Sequence, residues 1–75
     1  MKRETYKRRF VVVAQSSELK DRSGWNVEGY IEEHDGAGVN FLKEINSAEV
    51  LTTEEEALEF ALALGRRIVD DEYSR

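Results

Sequence analysis

The sequence predicts a small α+β domain: a three-stranded antiparallel meander (β-β-β) followed by one C-terminal helix packed on one sheet face. Three segments rich in β-branched or alternating apolar residues are separated by polar or glycine-containing breaks, which is typical of a meander. A helix-start signature then precedes a long apolar pattern of helical period. With 75 residues and no cysteine, the chain fits a single domain, residues 1–75, without a disulfide framework.

The first predicted strand covers about residues 5–15 and is rich in valine. Phe10 and Val12 point to one face of this strand, whereas Val11 and Val13 point to the other. Both faces are therefore apolar in its second half, as in a central strand or a strand whose outer face meets another surface. Residues 16–23 are polar and end before Gly24, which predicts a hairpin loop.

The second strand, about residues 24–33, shows the clearest alternation. Trp25, Val27 and Ile31 share one face, so this face is predicted to be the core side that the helix covers. The third strand is expected at about residues 39–45, with Phe41 pointing inward and Leu42 outward. Residues 46–51 are then a connector to the helix.

The helix is predicted over about residues 53–71. Thr53 at the N-cap and Glu56 at position N3 form a capping box, and the acidic first turn complements the positive end of the helix dipole. The apolar positions that follow cover a wide arc, which suits a single helix lying across a small sheet. Gly65 is expected to let this helix approach the sheet closely.

The charge is distributed unevenly along the chain. The net charge is −5, and residues 1–9 carry five basic side chains and one acid, so this segment is +4 and the remainder is −9. An acidic body repels phosphate, so nucleic acid is not the expected partner. The apolar run over residues 10–14 is too short for a membrane span or a signal peptide. Together with the absence of cysteine, this predicts a cytoplasmic protein with no membrane contact.

No residue pattern indicates catalysis, a cofactor or a metal site. His34 is the only histidine, and no second histidine or cysteine could complete a zinc site with it. The glycines at 36 and 38 neither open a helix nor precede a lysine with serine or threonine, so they do not form a phosphate loop. We therefore expect no catalytic, cofactor-binding or metal-binding residues, and no enzyme activity.

The sheet face that the helix does not cover is the first candidate for function. If the helix lies on the Trp25 side, then the opposite face carries the apolar residues Val11, Val13, Tyr30 and Leu42. Apolar patches of this kind mark interfaces with other proteins or with a second copy. The alternative is that these residues are exposed singly, which is normal for surface residues.

Several motifs resemble those of a known family. They are Tyr6-Lys7 before the valine-rich strand, Trp-Asn-Val-Glu-Gly-Tyr-Ile-Glu at 25–32, Phe-Leu-Lys at 41–43, Thr-Glu-Glu-Glu-Ala at 53–57 and Gly-Arg-Arg-Ile-Val-Asp at 65–70. In this order they resemble short bacterial proteins of the HlyU-type transcriptional activator family. The chain departs from that pattern at Lys43, where arginine is usual, and at Leu64, where lysine is usual. The resemblance implies a sheet-plus-helix fold and a regulatory setting.

Two functions follow as expectations. The first is a non-enzymatic interaction module that binds a protein or itself through the uncovered sheet face or an edge strand. The alternative is a transcription-associated regulator that contacts nucleic acid through the basic N-terminal segment at Lys7, Arg8 and Arg9.

Overall fold

The structure, a computed structural model, describes residues 1–73 as one antiparallel sheet covered on one face by a helix. The sheet order is β1-β2-β3-β4, so the strands form a meander. The α+β class and the single helix on one sheet face are confirmed, but the sheet has four strands rather than three. The elements are β1 Lys2–Tyr6, β2 Phe10–Gln15, β3 Trp25–Asp35, β4 Gly38–Leu51, α1 Glu54–Ile68 and a π-helical turn Val69–Tyr73.

The additional strand arises because the predicted first strand, residues 5–15, is wrong as a single element. The chain reverses in a loop of Lys7, Arg8 and Arg9, and Tyr6 lies directly opposite Phe10 across the resulting hairpin. Lys7 and Arg8 adopt left-handed backbone angles, with φ of 51° and 71°. Residues other than glycine, asparagine and aspartate seldom adopt these angles, so the sequence carries no turn signal here.

The second correction concerns β4, which continues to Leu51 through the predicted connector and contains a bulge at Leu42. Ile31 lies opposite Lys43 and Glu32 lies opposite Phe41, so Leu42 is the extra residue on β4. The bulge reverses the predicted facing of this segment. Leu42 packs against the core on the helix side, whereas Phe41 lies on the opposite face with 62% of its surface exposed.

The core lies between α1 and the sheet face that carries Val27 and Ile31, as the alternation predicts. Val12, Ile31 and Ile45 are at most 1% exposed and hold the centre of this layer. Gly65 faces Val12 and Ile45, and an ideal Cβ at this position would lie 2.9 Å from Ile45 Cδ1 and closer still to Val12 Cγ1. The expectation that Gly65 permits a close approach of helix and sheet is thus confirmed.

The start of α1 follows the predicted capping box. Thr53 Oγ1 accepts a hydrogen bond from the Glu56 amide at 3.1 Å, and the Thr53 amide donates to Glu56 Oε1 at 3.2 Å. Two of the amide groups that a helix start leaves without partners are satisfied in this way. Among the described residues, no helix has the length and apolarity needed to cross a membrane.

Candidate interaction surface

The sheet face opposite α1, called the outer face below, carries Val11 and Val13, but neither is available for contact. Val11 is 8% exposed and Val13 is fully buried. Arg3 and Tyr30 lie opposite Val13 on the two neighbouring strands, and Arg3 Nη2 pairs with Glu32 Oε1 at 3.3 Å. This ion pair joins β1 to β3 and therefore passes over β2. Long side chains of the flanking strands thus cover the two valines, as charged residues with aliphatic stems often do.

The exposed apolar part of the outer face lies nearer to β4 than predicted. The Tyr30 ring is half-buried and lies 6.1 Å from the Phe41 ring, centroid to centroid. Val39, which follows the same alternation as Phe41, is 57% exposed. Of the four predicted surface residues, only Tyr30 therefore occupies an accessible outer-face position, because the valines are buried and Leu42 faces the helix.

The basic N-terminal segment is an ordered edge strand that is joined to α1. Lys2 pairs with Glu55 and Glu59, and Arg66 Nη1 pairs with Glu4 Oε1 at 2.7 Å. The pKa of Lys2 is raised by its hydrogen bonds to Glu55 and then Glu59. Since the side chains of β1 alternate between faces, those of Lys2 and Glu4 reach the helix while Arg3 reaches across the outer face.

The loop between β1 and β2 displays the three predicted nucleic-acid contacts together. Lys7 Nζ pairs with Asp70 at 2.7 Å, and Arg9 pairs with Glu33 at 2.7 Å. Hydrogen bonds from Lys7 and then Tyr6 hold the pKa of Asp70 below its ordinary value. Arg8 is exposed and forms no ion pair within residues 1–73. Two of the three charges are thus compensated by acids of the same domain.

The two edges of the sheet differ in length and in charge. β1 has five residues, of which Lys2, Arg3 and Glu4 are charged, whereas β4 has fourteen residues with three charges. At about 3.3 Å per residue, β4 runs for most of the 43 Å length of the molecule. Short, charged edges resist pairing with another strand, and long, weakly charged edges permit it. Of the described sheet, β4 is therefore the edge that is open to another strand.

A second exposed apolar patch lies on α1. Phe60 is 37% exposed and lines a shallow depression with Ala63, Leu64 and Arg67. At 100° per residue, Phe60 and Leu64 lie about 100–140° around the helix from Glu59, which pairs with β1. Because β1 and β4 are the two edges of the sheet, this patch is on the flank of α1 turned toward β4.

The histidine region does not assemble a metal site among the described residues. His34 Nε2 lies 3.2 Å from Glu32 Oε1 on the exposed β3–β4 hairpin, and no group of three or more potential ligands is found in residues 1–73. Asp35 Oδ1 instead accepts hydrogen bonds from the amides of Ala37 and Gly38, at 2.8 and 3.0 Å. These bonds give the acidic turn a structural role.

Sequence reasoning missed Phe41, Val39 and the long β4 edge as surface features. A bulge leaves no composition signal, so simple alternation assigned Phe41 to the core. Residues 46–51 begin with Asn46 and Ser47, which favour turns and hide the continuation of the strand, whereas the absence of proline and glycine there was the signal that β4 continues.

Comparison with protein-family models, with curated proteins and with solved structures gave no significant match. The resemblance to HlyU-type activators therefore stays a prediction that rests on the sequence motifs alone.

Proposed function

We propose that this domain is a non-enzymatic interaction module of the cytoplasm that binds a protein through the exposed backbone edge of β4. The observation that carries the proposal is the asymmetry of the two sheet edges. β1 is short, charged and joined to α1 by ion pairs, whereas β4 is long and open. Proteins that bind extended segments by strand addition use an edge of this second kind.

The side chains next to this edge suit such contacts. Tyr30 and Phe41 form an aromatic pair on the outer face beside β4. In strand addition the backbone supplies most of the hydrogen bonds, and neighbouring apolar side chains supply selectivity. Aromatic residues are also enriched at the energetically important positions of interfaces. Phe41 is the side chain expected to contribute most, because 62% of its surface is available for burial.

The test is residue-resolved NMR of the ¹⁵N-labelled protein in buffer and in a cell lysate. The expected result is broadening or shifting of β4 amide signals around residues 41–47, with the β1 signals, at the other edge of the sheet, little changed. Phe41→Glu should remove the effect without unfolding the domain, and Ser17→Glu, in the exposed β2–β3 loop, should preserve it. β4 signals that change neither in the lysate nor with protein concentration would contradict the proposal.

A second candidate is contact with nucleic acid through Lys7, Arg8 and Arg9, in keeping with the regulatory setting that the HlyU-type resemblance implies. Its support is the loop itself, which presents three basic side chains at one end of the sheet. The ion pairs of Lys7 and Arg9 reduce the charge available to phosphate. In a low-salt titration with mixed DNA and RNA, this candidate requires binding that weakens with salt and is lost in Arg8→Glu.

A further inference from the structure

We infer that the occupant of the β4 edge is a second copy of this chain, paired antiparallel through β4 about a twofold axis at Asn46. This inference rests on the proposed use of the β4 edge and adds the partner and the register. The sheet would then continue through both copies as eight strands, with both α1 helices on one face. A twofold pairing of this kind is the commonest symmetry of soluble oligomers.

The register follows from the charges on β4. Directly opposed residues of an antiparallel pair have side chains on the same face, so the axis must pass through a residue rather than between two residues. An axis at Asn46 sets Lys43 of one copy opposite Glu49 of the other, twice by symmetry, and sets Glu44 opposite Ala48. This pairing opposes unlike charges and no like charges.

Neighbouring registers lack this complementarity. An axis at Glu44 would oppose the two Glu44 carboxylates, which is unfavourable for a directly opposed pair. An axis at Ile45 would set Lys43 opposite Ser47, without an opposite charge. The axis at Asn46 lies within residues 43–47, where β4 pairs with β3 without a bulge, while Ala48 and Glu49 lie in a second irregularity of β4, between Ser47 and Leu51. A regular strand segment is the part of an edge best able to accept a further strand.

The apolar patch on α1 is consistent with the same occupant. Phe60 and Leu64 lie on the flank of α1 turned toward β4. A twofold axis beside β4 would turn the equivalent flanks of the two helices toward one another. One partner therefore accounts for the open edge and for the direction of the helix patch, whereas a single added peptide strand would account for the edge alone.

The first test uses cross-linking, which is selective because the chain has no cysteine. Opposed residues of an antiparallel pair have Cα atoms about 4.5–5.5 Å apart, within the range of a disulfide. Under mild oxidation, Asn46→Cys should form a covalent dimer at least about tenfold faster than Glu44→Cys, which is exposed on the same strand but lies off the axis. Equal rates would overturn the register.

The second test reverses the charges and measures the dissociation constant by sedimentation. Lys43→Glu should raise it by about tenfold, because two like-charge pairs replace two attractive pairs. Adding Glu49→Lys should restore it toward the wild-type value. Both variants lose the 3.0 Å contact between Lys43 and Glu72, so their difference isolates the contact between copies. Failure of the second change to restore association would overturn the inference.

The two proposals can fail separately. A chain that sediments at 8.7 kDa up to millimolar concentration overturns the second-copy inference. If its β4 signals nevertheless change in the lysate, the edge binds a different protein and the proposed function stands. If the β4 signals respond neither to protein concentration nor to the lysate, both proposals are wrong.

Discussion

Replacing Gly65 by alanine tests how closely α1 is packed on the sheet. The new methyl group would lie 2.9 Å from Ile45 Cδ1 and closer still to Val12 Cγ1. Favourable carbon–carbon contacts are about 3.5–4.0 Å, so the helix and sheet would have to separate by several tenths of an ångström or more. Val12 is fully buried and is paired with strands on both sides, so it has little freedom to move.

Two opposing effects set the size of the change. Overpacking a core costs about 1–3 kcal/mol, and replacing glycine by alanine within a helix returns about 1 kcal/mol. Because the methyl group meets two side chains at once, we expect the upper part of the overpacking range. The net loss in free energy of unfolding should then be about 1–2 kcal/mol, and Tm should fall by about 4–16 °C.

The assay is urea denaturation followed by the far-UV circular dichroism signal, with thermal melting as a second measurement. Gly36→Ala is the matched control, because nothing lies within 4 Å of a Cβ at that position. In the double variant Val12→Ala with Gly65→Ala the closer contact, with Val12, is removed and only the contact with Ile45 remains, so its loss should be smaller than the sum of the two single losses. A Gly65→Ala protein as stable as the wild type, or more stable, would refute the close packing of α1.

Four further predictions address local features. Thr53→Ala should lower the free energy of unfolding by about 1 kcal/mol in urea denaturation, because the hydrogen bond that Thr53 Oγ1 accepts from the Glu56 amide is lost. Arg8→Gly should raise it by about 0.5–1 kcal/mol, because relief of the left-handed backbone outweighs the entropy cost of glycine, and Arg8→Ala should give no gain. Phe41→Ala should change the free energy of unfolding by less than about 0.5 kcal/mol, because Phe41 is mostly exposed. Leu42→Ala should lower the free energy of unfolding by about 1–2 kcal/mol, because Leu42 packs against the core. The reverse order of these two losses would refute the bulge. The pKa of Asp70 in the folded domain is depressed below its ordinary value of 3.8. The ionised carboxylate therefore stabilises the fold above pH 3.8, and this contribution is lost as the pH falls through the folded pKa. The difference in urea midpoint between the wild type and Asp70→Asn should accordingly disappear in acid.

The elements that sequence reasoning identified are those whose signals are local. The capping box at Thr53 and the alternation at Val27 and Ile31 each depend on residues within a few positions, and both appear in the structure as expected. The close approach at Gly65 was also anticipated, because a helical glycine is costly unless packing requires it.

The features that sequence reasoning missed depend on backbone geometry rather than composition. The loop at Lys7 and Arg8 contains none of the residues that favour left-handed angles, so one predicted strand concealed two. The bulge at Leu42 exchanged the facing of two adjacent apolar residues, which a period-2 pattern cannot detect. Consequently the uncovered face was correctly identified, but the residues expected to be accessible on it were mostly the wrong ones.

The uneven charge along the chain has a different meaning in the folded domain. A basic segment next to an acidic body suggests an arm that is free to bind a polyanion. In the structure this segment is β1, and Lys2, Glu4 and Lys7 place their charges against acids or bases of α1 and the π-helical turn. These pairs are exposed and individually weak, but together they fix a short strand that has little apolar surface of its own. On β4, the opposite edge, the contacts described within residues 1–73 from the π-helical turn lie near one position, where Lys43 pairs with Glu72 and the Leu42 carbonyl accepts a hydrogen bond from Tyr73 Oη. The charged side chains of β1 thus make this edge unfavourable for pairing with another strand. We therefore expect an interaction at the β4 edge instead.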